Sequence, residues 1–180
     1  MVQYATFDDL ERFTRNLPDT NQVLAKAFNR EGKTVFLSHS HKDNRYLPGV
    51  ISVLENHGAS VYVDVQDTSL PETPSLETAA ILRNNLSACR KFIVFVTTES
   101  KDSKWIPWEL GLGDGEKTMR NVALFPAAKQ DNEKAWAERE YLALYDRIVW
   151  GQFKDQPFEW LVHHYQENTA TKLKEWLNRA

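Results

Sequence analysis

Hydrophobic positions along this chain change period several times, and each change marks an element. Phe7, Leu10 and Phe13 fall three apart, and Val23, Leu24, Ala27 and Phe28 resume the helical spacing. Pro18-Asp19-Thr20 between them reads as a turn and an N-cap, and Glu31-Gly32 ends the pair. The spacing predicts a helical hairpin over residues 1–32. From Thr34 onward, short apolar runs alternate with helical stripes. Thr34–Leu37, Ser60–Val63, Phe92–Val96 and Val122–Phe125 read as buried strands, with a fifth near Arg147–Trp150. Leu47, Val50, Ile51 and Leu54 form one helical stripe, and Gly58 sits where its C-terminal cap belongs. Thr73-Pro74 reads as an N-cap and first helical residue ahead of Leu76, Ala79, Ala80 and Leu86. Trp105–Lys117 and Asn132–Glu140 are helical in composition. Phe158–Tyr165 and Thr169–Leu177 are expected to close the chain as two amphipathic helices, with Leu173, Trp176 and Leu177 on one side of the second.

Strands separated by helices imply a parallel sheet covered on both faces. With right-handed crossovers, the expectation is an α/β, flavodoxin-like three-layer fold with a five-stranded parallel sheet in the order 2-1-3-4-5. The expected organisation is a single domain. It has a helical extension over 1–32, an α/β core over 33–150, and C-terminal helices over 151–180 packed on that core.

Composition narrows the function classes. Of 180 residues, 42% are apolar and 26% charged, and Gly 7 with Pro 7 leaves little room for linkers, as in an ordinary globular domain. A net charge of −3 argues against non-specific nucleic-acid binding and against a polybasic membrane anchor. The longest apolar runs, Phe92–Val96 and Val122–Ala128, are far below the ~20 residues of a membrane span. The first ten residues lack the basic-then-apolar order of a signal peptide. A soluble, cytoplasmic protein with no nucleic-acid or membrane partner is therefore expected. The lone Cys89 excludes an internal disulfide and a Cys-rich zinc module.

In a sheet of this order, ligands bind beyond the carboxyl ends of the strands, where the strand order reverses. Two loops are expected there: Ser38-His39-Ser40-His41-Lys42-Asp43, and Thr97 through Trp105, leading into Glu109. No nucleophile elbow or P-loop occurs. Gly111-Leu112-Gly113-Asp114-Gly115 misses the dinucleotide-binding spacing and is expected to loosen or shorten its helix. His39, His41 and Asp43 alternate, so in an extended segment they point the same way. Zinc wants three or four ligands, and no metal site is expected. Asp43 also fits as a cap for the following helix, and His163-His164 as surface and packing on a helix. Pro107 places Glu109 in a first helical turn, where the helix dipole stabilises a carboxylate whatever its role. A carboxylate beside an aromatic ring also suits a developing sugar cation. Position alone fits both readings.

Three segments together resemble a known family. Phe36-Leu37-Ser38-His39-Ser40-His41-Lys42-Asp43 resembles the first strand and loop of Toll/interleukin-1 receptor (TIR) domains, often F-[IL]-S-aromatic-x-x-x-D. Gly58-Ala59-Ser60-Val61-Tyr62-Val63-Asp64 is similar to the second strand, ending in the Asp that opens the BB loop. Phe92–Val96 with Ser103-Lys104-Trp105 and Glu109-Leu110 is similar to the third strand and the S-x-W-x-x-x-E-[LI] signature. The resemblance covers about residues 33–150. His39 stands where an aromatic is common, and Leu70-Pro71-Glu72-Thr73-Pro74 carries two prolines where a Gly is usual.

The resemblance implies an enzyme that cleaves NAD+ at the nicotinamide–ribose bond, with NAD+ as substrate and no cofactor. The family's catalytic carboxylate maps onto Glu109. Trp105 and the loop residues Ser38, His39, Ser40 and Asp43 are expected to bind the dinucleotide. Asp64, Leu70 and Pro71 belong to the loop through which such domains self-associate. Hydrolysis gives ADP-ribose and cyclisation gives a cyclic isomer; the family implies a signalling or antiviral defence role, with a downstream effector that senses the product. Two other readings stay open here. One is a non-catalytic TIR interaction module, which many adaptor members without a usable carboxylate represent. The other is another N-glycosidic enzyme, such as a nucleoside deoxyribosyltransferase.

Overall fold

In the computed structural model the described residues are 2–63, 76–98, 100, 103, 105–130 and 140–179. Helix α1 (Phe7–Arg15) starts at a reciprocal cap: the Asp9 N–H donates to the Thr6 hydroxyl and the Thr6 N–H to Asp9 Oδ2, each at 3.1 Å. Asp19 caps α2 (Thr20–Phe28) by accepting from the N–H groups of Asn21 and Gln22 at 2.9 and 3.1 Å. The helical hairpin thus stands where the spacing predicts it. Two short strands precede it, β1 (Val2–Gln3) and β2 (Ala5–Thr6), which pair with later strands and carry no periodic pattern of their own.

The apolar runs become β3 (Val35–Ser38), β4 (Val61–Val63), β5 (Lys91–Val96), β6 (Val122–Ala128) and β7 (Asp146–Gly151). These pair in parallel and lie in the order β4-β3-β5-β6-β7. Helices α3 (Leu47–Asn56), α4 (Leu76–Ala88) and α5 (Trp105–Glu116) fall between them in the chain. Past the end of α3, Gly58 takes a φ of +95°, the left-handed cap that its position suggested.

Alternation along each strand feeds two cores. Val35, Leu37, Ile93 and Phe95 face one side with Leu47, Ile51 and Leu54 of α3. Phe36, Phe92, Val94 and Val96 face the other with Leu82, Leu86, Ile106 and Leu110 of α4 and α5. Every residue of β5 is buried, which is why Phe92–Val96 within it reads as a continuous apolar run. No described helix is long and apolar enough to cross a membrane.

The C-terminal segment departs from expectation. Phe158–Tyr165 is not a helix: β8 (Glu159–His164) pairs antiparallel with β7, and β9 (Thr169–Lys172) pairs antiparallel with β8. Only α6 (Leu173–Asn178) remains of the second predicted helix. The sheet therefore has nine strands among the described residues rather than five, and it is mixed rather than wholly parallel. Trp160, Leu161 and Val162 are all buried, and three consecutive apolar residues do not separate a doubly covered strand from a helix. The informative feature was Asn168, which turns the hairpin with a φ of +52° ahead of a Thr-rich run. The predicted helix at Asn132–Glu140 and the loop Asp64–Pro74 fall largely or wholly outside the described residues; Glu140–Leu144 is a 3₁₀ turn.

The glycine run does not shorten α5, which continues through it to Glu116. Gly113 lies against β5, where an added Cβ would stand 2.3 Å from Cδ1 of Phe92; at Gly111 and Gly115 a Cβ would meet nothing within 4 Å. The helix thus tolerates two costly glycines and requires the third. Gly113→Ala is expected to destabilise the fold by about 1–3 kcal/mol through overpacking. Gly111→Ala should stabilise it by up to about 1 kcal/mol. Urea midpoints for the two variants check this, and equal shifts of the same sign would contradict the packing account.

Candidate functional site

The chain leaves β3 towards the face that carries α3 and leaves β5 towards the face that carries α5. Two neighbouring strands whose exits diverge open a crevice at their carboxyl ends. The first side chain at that crevice is Ser38, the last residue of β3, which is buried and paired in register with Val94 of β5. Its hydroxyl donates to Oε2 of Glu109, so the predicted loop and the predicted carboxylate meet. Glu109 is half-buried. It sits in the second turn of α5 and not the first, because the helix begins at Trp105 and carries Pro107 inside its opening turn. Proline is tolerated there because the first N–H groups of a helix have no partner within it. Trp105 therefore opens the helix, one turn before Glu109.

The β3 loop is held from below. His39 and Ser40 are buried, and a 3₁₀ turn runs from His41 to Tyr46. The Asp43 N–H donates to the Ser40 carbonyl at 2.8 Å, which closes that turn. Asp43 has no exposed surface, and its Oδ1 accepts from the Thr97 hydroxyl at 2.9 Å. Thr97 follows β5 directly. Its N–H donates to Ser100 Oγ at 2.8 Å, and the Ser100 N–H returns a bond to Thr97 Oγ1 at 3.1 Å. The Asp43–Thr97 contact thus locks the β3 loop to the β5 loop beneath the crevice. Spacing singled out Asp43 and not Thr97; the available signal was a hydroxyl immediately beyond the most buried strand, beside a loop carrying a carboxylate.

His39 sits in the loop as a neutral ring. Burial pushes its imidazole down to about 4, against a smaller upward pull from the contact with Asn44, whose Oδ1 lies 3.0 Å from Nε2. That contact engages one of the two ring nitrogens. Among the described residues no group of three or more His, Cys, Asp or Glu is placed to hold a metal ion. Cys89 is buried just before β5, at the opposite end of the sheet, and burial raises its thiol to about 11, so it is not a reactive nucleophile. His164 lies on strand β8 and not on a helix, remote from this crevice. Of the predicted site residues, the structure brings together Ser38, His39, Ser40, Asp43 and Glu109. The side chain of Trp105 and the loop with Asp64, Leu70 and Pro71 lie outside what is described.

Comparison with known proteins agrees with this topology. Residues 35–162 match the TIR domain family, so the match reaches past residue 150 into β8. The chain is also 31% identical over 182 aligned positions to a Bacillus cereus (strain MSX-D12) protein named a probable 3′ cyclic ADP-D-ribose synthase, ThsB′. That alignment takes in 98% of this chain and 93% of the Bacillus protein.

The neutral His39 makes the loop acid-sensitive. The unfolded chain takes up this proton near 6.5, and the folded protein only near 4. The contribution is therefore complete above pH 6.5 and is lost as pH falls towards 4. His39→Phe removes the titration, and the wild type is expected to lose up to about 3 kcal/mol more than the variant across that window. Urea unfolding at several pH values measures the difference; parallel curves would show that His39 is not held neutral.

Proposed function

This chain belongs to the TIR domain family, and on that premise we propose that it cleaves NAD+ at the nicotinamide–ribose bond and closes the product into a cyclic ADP-ribose isomer. The observation that carries the reading is the Glu109 carboxylate, anchored by Ser38 at the mouth of the crevice between β3 and β5. The Bacillus relative named a cyclic ADP-D-ribose synthase supports the same chemistry.

The reaction asks for little acid–base machinery. Breaking the C1′–N bond releases nicotinamide as a neutral base, with the bonding pair leaving on nitrogen, so no general acid is required. Positive charge then builds on the ribose ring, as in glycoside hydrolysis. Glu109 is positioned to stabilise that charge, and the Ser38 hydroxyl holds the carboxylate in place. Attack on C1′ by a hydroxyl of the same molecule closes a ring, and attack by water gives ADP-ribose; either releases one proton. Trp105, one turn before Glu109, is assigned to stack on a ring of the dinucleotide. Ser40 and His39 line the loop against the substrate, while buried Asp43 sets the loop's position. The cyclic product is a diffusible signal, and its receiver is a downstream effector in a defence response.

The test is direct. Purified protein incubated with NAD+ is expected to release nicotinamide and a cyclic isomer, separated by chromatography and identified by mass spectrometry. Unchanged NAD+ at high protein concentration would favour a non-catalytic interaction module, and cleavage of free nucleosides instead would favour a deoxyribosyltransferase.

The segment from Asp64 to Pro74, with Leu70 and Pro71, is assigned to self-association. Two prolines hold such a loop in fewer conformations, and a pre-shaped loop loses less entropy on docking. Specific activity is therefore expected to rise with enzyme concentration over about two decades, and Leu70→Asp to flatten that rise by weakening the contact. A flat wild-type curve matched by Leu70→Asp would show a self-sufficient monomer.

A further inference from the structure

At the amino-terminal end of the sheet, opposite the crevice, lies a second cavity of about 600 Å³. That volume is in the range of small-molecule sites. Lys91, the first residue of β5, forms part of its wall and is 1% exposed. Its ammonium donates to the Asn121 side-chain oxygen and stands 4.8 Å from the centre of the Trp176 ring. Among the described residues no carboxylate forms an ion pair with it. Arg90 and Arg179 act on it with charges of the same sign. A buried ammonium without a counter-charge is costly, and burial lowers Lys91 to about 8, with Arg90 and Arg179 adding to that effect.

The remaining lining explains what would relieve that cost. Arg120 and Arg179 stand at the same cavity, so three cations meet two carboxylates, Asp146 and Glu167. Asp146 is engaged by His164, with Oδ2 2.6 Å from Nδ1; His164 Nε2 lies 2.9 Å from the Thr171 hydroxyl. Glu167 is 3.9 Å from Arg120, and both are well exposed. Met119 and Leu144 add exposed apolar surface to the same wall. The cavity thus combines one buried cation, two cations with freedom to move, hydroxyl and amide donors, and an apolar patch. These are the requirements for a phosphate group carried on a small organic body.

We propose that this cavity binds a phosphate-bearing small molecule of about mononucleotide size, with Lys91 as the buried anchor and Arg120 and Arg179 closing on the phosphate from outside. The body of the ligand lies against Met119 and Leu144. The site is separate from Glu109 and Ser38, since it faces the other end of the parallel strands. Ligand bound there contacts β5, β7 and β9 together, and so joins the C-terminal hairpin to the parallel core.

Calorimetric titration with AMP, with inorganic pyrophosphate and with adenosine tests the proposal. AMP is expected to bind at one site, and adenosine to bind on the order of tenfold more weakly or not at all, because the charged contacts are gone. Pyrophosphate distinguishes a site for the phosphate alone, which it would fill as well as AMP, from one that also grips the organic body. Lys91→Met should abolish AMP binding, and Arg179→Glu, an exposed change that leaves the core intact, should weaken it about tenfold. On addition of AMP, hydrogen exchange is expected to slow around Lys91, Asn121 and Trp176 and not around Ser38 and Glu109, which separates the site from the candidate active site. Absence of AMP and pyrophosphate binding at millimolar concentration, equal binding of adenosine, or unchanged AMP binding in folded Lys91→Met and Arg179→Glu would overturn it.

Discussion

The hydrogen bond from Ser38 to Glu109 joins the end of one parallel strand to the second turn of a helix 71 positions further along the chain. Everything that gives the crevice its shape serves this contact. The pairing of β3 with β5 sets the height of Ser38, and the missing side chain at Gly113 lets α5 approach Phe92 closely enough to present Glu109. The buried Asp43–Thr97 bond fixes the two loops to each other just below. Such a bond is worth more in a dry interior than at the surface, and leaving either partner unsatisfied there is costly. The result is a carboxylate whose position is determined from three sides before any ligand arrives, the condition under which a charged group stabilises a transition state effectively.

The parallel core and the two converging loops were legible because both follow from burial. A strand covered on both faces is apolar along most of its length, with only the end residues Ser38 and Lys91 polar here, so β3, β5 and β6 announced themselves, and the switch in chain direction then named the loops without reference to any motif. The start of α5 was harder to read. Pro107 is a good first helical residue, yet it is equally compatible with a helix that begins two residues earlier, and the structure takes that option. The C-terminal hairpin was misread for a different reason. Trp160, Leu161 and Val162 face covered surfaces on both sides of β8, which erases the alternation that would have marked a strand. Thr97 was legible as the start of the second loop, but its pairing with a carboxylate 54 positions away is a tertiary contact that the hydroxyl's place beyond β5 only hints at.

That hairpin changes how the domain ends. β8 and β9 extend the sheet beyond β7, and α6 then returns along the amino-terminal end of the strands. There the Trp176 indole donates to the Arg120 carbonyl at 3.0 Å and its ring lies near Lys91. The two ends of the sheet consequently differ in chemistry. The carboxyl end presents a carboxylate anchored by a hydroxyl, suited to a developing cation. The amino end presents a buried ammonium among arginines, suited to an anion.

The central claim is that the Glu109 carboxylate carries the cleavage of the nicotinamide–ribose bond. The most direct measurement is the rate of nicotinamide release at saturating NAD+ by Glu109→Gln, an isostere that keeps the shape and the contact with Ser38 but removes the charge. With the variant's fold checked by its melting temperature, the account predicts a rate lower by on the order of a hundredfold or more, equivalent to at least ~3 kcal/mol of transition-state stabilisation. A folded Glu109→Gln protein that releases nicotinamide at a near-normal rate would contradict it.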